Sequence, residues 1–244
     1  MREERSNPAG VSQAKTARRA LLGKKLGMTQ LYLESGELVP VTVLKAGPCT
    51  VLEVKTPERD GYAAVQLGFE ETKKAKKRPQ QARLERLGLR PMRFVREVRF
   101  VDPNDARPRA AEAPASGEPA SAEAGQLAPG SVVGVWTLRG VARVDVRGRT
   151  KGRGFAGVIR RHHFNAGPKS HGTKNIREPG STGMHTDPAR VLPGKKMPGH
   201  LGAAYRKARN LQVIRVDEEE NLLVVRGAVP GPNGGYVTIE ESLE

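Results

Sequence analysis

The segment from Arg147 to Arg209 limits what this chain can fold into more than any other part of it. Its 63 residues carry 15 of the 42 lysines and arginines against only Glu178 and Asp187, a net +13 of the chain's +16. All five histidines (His162, His163, His171, His185 and His200) stand in it, with 11 of the 28 glycines and five prolines. It has almost no apolar periodicity and cannot fold by burying a face of its own. Ordered connections in compact domains are mostly a few residues long, so something outside the segment has to order it. A nucleic-acid backbone is the densest biological source of regularly spaced negative charge and is the leading partner. On charge alone the competing reading is a disordered basic loop that binds anions loosely.

Without that segment, a polar head of about 20 residues and the Ala-, Pro- and Glu-rich run 103–130, about 133 residues remain, enough for one core of ordinary size. No apolar run approaches the about 18 residues of a membrane-spanning helix, so no membrane partner is expected. Cys49 is the only cysteine, which rules out an intrachain disulfide and a multi-cysteine zinc site and fits a reducing compartment. In CTVLEV it reads as a small buried hydrophobe rather than a nucleophile. The head, residues 1–20, has no apolar h-region and carries Glu3 and Glu4, so it reads as a disordered basic tail rather than a secretory signal or transit peptide.

From Leu21 onward, short β-rich runs alternate with turn residues. LGMTQLYLE and ELVPVTVLK flank Ser35-Gly36 as a hairpin, with Pro40 marking an edge or bulge. CTVLEVK and GYAAVQLGF follow, separated by PERDG, and after the charged run ETKKAKKRP the stretch QARLERLGL predicts one or two helical turns with Leu84, Leu87 and Leu89 on one side. FVREVRFV alternates as a half-buried strand, and strands resume at SVVGVWTL and VARVDV. LQVIRVDEEENLLVVRGAV predicts a hairpin whose acidic tip, Asp217 to Glu220, is a solvated turn, and YVTIE is the last strand. The fold class is mainly β: a small barrel built from both ends of the chain, with a long irregular basic extension. The domain reading is 21–102 as the first part of the barrel, 103–130 as insertion or linker, 131–150 as further barrel strands, 151–209 as the extension and 210–244 as closing strands. The glutamates of 103–130 place that run on the solvent side, away from phosphate.

Gly152, Gly154 and Gly157 in GRGFAG satisfy the dinucleotide fingerprint after a strand, and Glu178 falls where its acidic residue belongs. The helix needed to receive a pyrophosphate is missing, because VIRRHHF runs straight into NAGPKSHG. Adjacent His162 and His163 point in different directions, and no histidine has zinc-site spacing, so neither metal nor cofactor is expected. No serine sits in a G-x-S-x-G frame, so no small-molecule substrate is expected either. DNA readers present a helix or ribbon to the major groove, and no helix here is long enough. With 4% aromatics a single-strand stacking platform is also poorly supplied. Folded RNA, read by shape, phosphate and 2′-hydroxyl, fits best. A nucleotide-dependent enzyme using GRGFAG and a general RNA chaperone are the competing functions.

Seven blocks carry a resemblance: LLGKKLGMTQ (21–30), PVTVLKAGPC (40–49), DGYAAVQLGF (60–69), TKGRGFAGVIRRHHF (150–164), HGTKNIREPGSTG (171–183), PGKKMPGHLG (193–202) and NLLVVRGAVPGPNGG (221–235). In this order they resemble the large-subunit ribosomal protein L-three family, bacterial type. The resemblance implies a six-stranded β-barrel on the subunit surface and an extension, about Lys151 to Gly202, threading large-subunit (23S-type) rRNA toward the peptidyl transferase centre. It implies RNA binding early in subunit assembly, neighbouring large-subunit proteins, no catalysis, and a place on the cytoplasmic ribosome, with an organellar ribosome as the alternative. Lys151, Arg153, Arg160, Arg161, Lys174, Arg177, Lys195, Lys196 and His200 match positions expected to touch RNA. Lys24, Lys25, His162, His163, His171 and Arg190 complete the expected set, with Gly152, Gly154, Gly157, Gly180, Gly183 and Gly199 as points of close backbone approach. Three departures stand out: His162-His163-Phe164 replaces a Trp-Asn-Phe common in bacterial members, and Met184 stands where many carry glutamine. YRKAR (205–209) replaces an apolar strand-forming segment, so either the strand starts later or its surface is more basic.

Overall fold

The computed structural model describes residues 19–72, 78–99 and 128–242. The expectations for the N-terminal tail, for the lysines of ETKKAKKRP and for nearly all of 103–130 lie outside the described residues. The strands are β1 (Ala20–Tyr32), β2 (Leu38–Ala46), β3 (Cys49–Lys55), β4 (Ala64–Glu71), β5 (Met92–Val98), β6 (Val132–Val133), β7 (Arg143–Arg149), β8 (Phe155–Ala156), β9 (Gly199–His200), β10 (Tyr205–Asp217), β11 (Leu222–Arg226) and β12 (Tyr236–Glu241). The helices are α1 (Pro57–Asp60), α2 (Arg78–Arg86) and α3 (Val158–His162). By contacts the chain forms two units: one holds Gly47–Arg139 and the chain up to Leu21, the other Leu22–Ala46 and Gly140–Glu244.

In the second unit the strands close in the order β1-β12-β7-β10-β11-β2. The implied six-stranded barrel is therefore present, closed and antiparallel. Alternation makes it: Val144, Val146 and Gly148 of β7 turn to the buried side, while Arg143, Arg147 and Arg149 stay exposed. Val237 and Ile239 of β12, Leu44 and Ala46 of β2, and Leu223 and Val225 of β11 are all within 1% of full burial. Each such aliphatic side chain removed from water contributes about 1.5–3 kcal/mol. Pro40 pairs with Gln30 of β1 but lies past the last β2–β11 pair, Val41 with Arg226, so its missing N–H leaves no gap in that ladder. The β1–β2 bulge falls instead between Lys25 and Gly27.

β10 begins at Tyr205, so YRKAR is strand and the more basic surface is the outcome. That strand is irregular between Ala208 and Leu211, and Asn210 there takes the left-handed region at φ 58°. The interruption strands the Asn210 N–H, and Asp145, buried on β7, supplies the acceptor at 2.9 Å. Its other oxygen faces Lys207 Nζ at 3.3 Å, and that ammonium also reaches Glu240 of β12 at 2.5 Å. One carboxylate thus secures the bulge and ties β7, β10 and β12 together.

β3, β4, β5 and β6, which the sequence rhythm groups with the barrel, form a four-stranded sheet of their own in the order β5-β4-β3-β6. Closure explains it: both edges of β2 are taken, by β1 and β11, so the next strand has no barrel edge to join. Cys49 is buried there and in no disulfide, as its apolar setting predicts. Leu84 of α2 packs with Leu52 and Met92, and Leu89 and Val95 close the cluster. SVVGVWTL is strand only at Val132–Val133; from Val135 to Leu138 it is a 3-10 turn. The Trp136 ring lies where a Cβ on Gly134 would be, 1.9 Å from its nearest atom, so the indole folds back over the glycine and ends the strand.

In the same sheet Lys55 Nζ, Tyr62 OH and Glu97 form a closed triangle: the ammonium is 2.6 Å from the carboxylate and donates to the phenol at 2.7 Å, which donates to Glu97 at 2.8 Å. The hydrogen bond from Lys55 is the main cause that holds Glu97 below the usual carboxylate range, and Tyr62 assists.

A depressed folded pKa means that Glu97 stabilises the sheet above its unfolded value, near 4.5, and that this contribution is lost as pH falls through the lower folded value. An NMR titration should place the Glu97 midpoint below 4.5, and Glu97→Gln should remove that part of the acid dependence of melting. Asp145→Ala leaves a buried N–H unpaired and should destabilise the barrel by about 1–3 kcal/mol in denaturant titration, whereas Asp145→Asn, which keeps an acceptor, should cost less.

Candidate nucleic-acid interface

The extension leaves β7 and returns into β10, and hydrogen bonds hold its two legs together well past the barrel wall. Tyr205 pairs with Arg149 at the end of the β7–β10 ladder. Thr150 N donates to Ala204 O at 2.9 Å, Arg153 N to Leu201 O and Leu201 N to Gly154 O, each at 2.9 Å, before β8 pairs with β9. Arg149 Nε donates to Ala203 O at 3.0 Å and the Thr150 hydroxyl to Ala204 O at 3.1 Å. The result is a two-stranded stalk. Gly202 is indispensable to it: its φ is +77°, and a Cβ there would lie 2.2 Å from Lys151 O.

Beyond the stalk α3 spans five residues and stops at His163, which takes the left-handed conformation and donates its N–H to Ile159 O. Such a helix is too short for the dinucleotide reading of GRGFAG. Arg161 Nη1 donates to Met197 O at 2.7 Å, and His162 Nε2 is 3.0 Å from the same carbonyl, so both side chains brace the returning leg. Gly167 N donates to Ile176 O at 2.9 Å and closes a loop bearing Lys169, His171 and Lys174. The chain then runs from Arg177 to Pro198 with little regular structure.

Lys151, Arg153, Arg160, Lys174, Arg177, Arg190, Lys195 and Lys196 are all exposed, as are His163, His171 and His200. Among the described residues none of those eight cations makes an ion pair with a carboxylate. Elsewhere in the chain the pattern is different: Lys55, Arg59, Arg90, Lys207 and Arg226 each have an acidic partner. No group of three His, Cys, Asp or Glu among the described residues is arranged to hold a metal ion.

Two expected residues belong to the barrel rather than to this exposed set. Lys25 is 6% exposed, and its Nζ donates to the carbonyls of Val229 at 2.8 Å and Gly231 at 3.5 Å. Burial, helped by the nearby charge of Lys151, pulls its pKa below the ordinary lysine value. Lys24 is half-buried, with its ammonium 5.8 Å from the Tyr236 ring centroid. Among the expected glycines, Gly154, Gly157 and Gly180 have nothing within 4 Å of a would-be Cβ, Gly183 has only Arg190 O at 3.9 Å, and Gly152 only Ala203 at 3.7 Å. Gly199 is covered by the Arg161 guanidinium instead. Phe155 and the brace at Met197 O escaped the sequence reading. The signal for Phe155 was its place as the one aromatic residue of TKGRGFAG; a main-chain acceptor such as Met197 O has no sequence signal.

A family profile described as Ribosomal protein L3 matches residues 137–222, which span β7, the whole extension, β10 and the start of β11. The chain is 47% identical over 224 residues to "Large ribosomal subunit protein uL3" of Solibacter usitatus, covering 91% of this chain and 97% of that one. It is 46% identical to the protein of that name from Pelotomaculum thermopropionicum, covering 93% and 98%. With that of Thermotoga maritima it shares 45% identity over 91% of this chain and 96% of the relative. On this similarity across nearly the full length of both chains, the protein belongs to the Ribosomal protein L3 family.

Proposed function

We propose that this chain is a structural component of the large ribosomal subunit that binds large-subunit (23S-type) rRNA through the 151–202 extension. The observation that carries the reading is the set of eight exposed cations without carboxylate partners on an arm whose two legs are paired from Thr150 to Ala156 and braced at Met197 O. Lysine and arginine there neutralise phosphates, the glycines with open Cβ positions let main-chain N–H groups approach the backbone, and the exposed imidazoles serve 2′-hydroxyls or bases. The barrel anchors the arm at the subunit surface while the arm reaches through RNA toward the peptidyl transferase centre. It does so early in assembly and beside other large-subunit proteins, on the cytoplasmic ribosome. Its work is binding rather than catalysis.

Binding of the full chain to large-subunit rRNA transcripts should be steeply salt-dependent, since about 6–10 phosphate contacts weaken affinity about 10³- to 10⁵-fold between about 50 and 200 mM salt. A flat response in a filter-binding series would remove this reading. Replacing 151–202 by a short turn should leave the barrel folded by circular dichroism yet abolish incorporation into subunits that withstand a high-salt wash. A general RNA chaperone would instead wash off even with the arm intact.

A further inference from the structure

The stalk's terminal ribbon has two unlike faces. Antiparallel pairing sets Phe155 opposite His200 and Ala156 opposite Gly199, and the period of two puts the first pair on one face and the second on the other. The back face is packed: Ala156 is 4% exposed, and the Arg161 guanidinium lies 2.5 Å from the Cβ position of Gly199, held there by its bond to Met197 O. The front face is bare. Phe155 is 80% exposed, more than any other large apolar side chain among the described residues, and His200 beside it is exposed as well. Gly154 and Gly157 on the same leg have no neighbour within 4 Å of their Cβ positions, and among the described residues the ring is left open.

A bare phenyl ring in water loses the burial that makes phenylalanine useful, and a polar residue would serve an exposed strand position better. What could cover it is limited by its surroundings. Lys151 and Arg153 precede it on the same leg, exposed and without carboxylate partners, and no acidic residue lies between Lys151 and Lys174. An apolar protein surface would have to bury those cations at its rim, whereas a nucleotide brings a flat π-face and an adjoining phosphate together.

We propose that Phe155 and His200 form a stacking site for one unpaired nucleobase of a structured RNA, with Lys151 and Arg153 taking the flanking phosphates. The site rests on the RNA-binding reading above and adds to it the class of nucleotide that the stalk selects: a bulged or looped-out base rather than a helical one, since a base within a helix keeps its faces occupied by its neighbours.

The test measures affinity of the full chain for a large-subunit rRNA transcript across a salt series. Phe155→Ala and Phe155→Leu should each weaken binding by about 5- to 150-fold, the weight of one base–aromatic stack, with the salt slope unchanged. Phe155→Trp, which keeps a π-face, should bind as the wild type does. The double variant Lys151→Gln/Arg153→Gln should lower the slope by about one unit per cation. Since the ring is exposed, all three Phe155 variants should melt like the wild type, which separates lost stacking from lost folding. A photo-reactive group at position 155 in assembled subunits should cross-link to RNA. Wild-type affinity in Phe155→Ala, wild-type affinity in Phe155→Leu, or a cross-link to protein alone would overturn the stacking site while leaving the RNA-binding reading intact. A wild-type chain that does not bind the transcript would overturn both.

Discussion

The β7–β10 ladder is the interaction on which the rest of the second unit depends. The same two strands form part of a closed barrel wall and the two legs of the extension, so the register that closes the barrel also fixes where the arm begins and how its legs face each other. Main-chain bonds from Thr150, Arg153 and Leu201 carry that register beyond the wall. Asp145 matters for the same reason: it completes the ladder where β10 bulges, and Lys207 and Glu240 extend the tie to β12. A polar carboxylate buried in a strand is justified only when its oxygens are used, and both are.

Charge is sorted along the chain by the same logic. On the β3–β6 sheet and the barrel, Lys55, Arg90, Lys207 and Arg226 each face a carboxylate. The eight exposed cations of the extension do not, and most of the net +13 over 147–209 is left for a ligand to relieve. Exposed ion pairs contribute little to stability, so this difference in pairing concerns partners more than folding.

Much of this was legible in the residues, and what was not has a physical reason. Alternation and turn chemistry revealed the strands, and the concentration of lysine, arginine, glycine and histidine revealed the arm. The barrel's membership was not legible, because an alternating strand such as CTVLEVK shows its buried side but not the sheet it joins; closure by distant strands decides that. SVVGVWTL misled because an aromatic and three valines favour a strand, while one glycine lets the Trp136 ring fold back and end it. Lys25 looked like another phosphate ligand in a run of basic residues. Only the fold brings the carbonyls of Val229 and Gly231 to its ammonium, about two hundred residues away in the sequence.

The stalk also explains how so polar an arm can serve as a binding element at all. Fixing the backbone of a residue costs about 1–2 kcal/mol, so a fully free arm would have to recover that cost at every position from its ligand. The paired legs from Thr150 to Ala156 and from Gly199 to Ala204, with Arg161 and His162 clamped on Met197 O, order part of the arm in advance. The remaining cost falls on the loops between Gly167 and Pro198, where exposed cations and glycines are also dense. Where the chain orders itself it uses main-chain bonds, and where it does not it offers charge. The boundary between the two regimes lies at the β8–β9 ribbon, whose outer pair, Ala156 with Gly199, is the last before the loops.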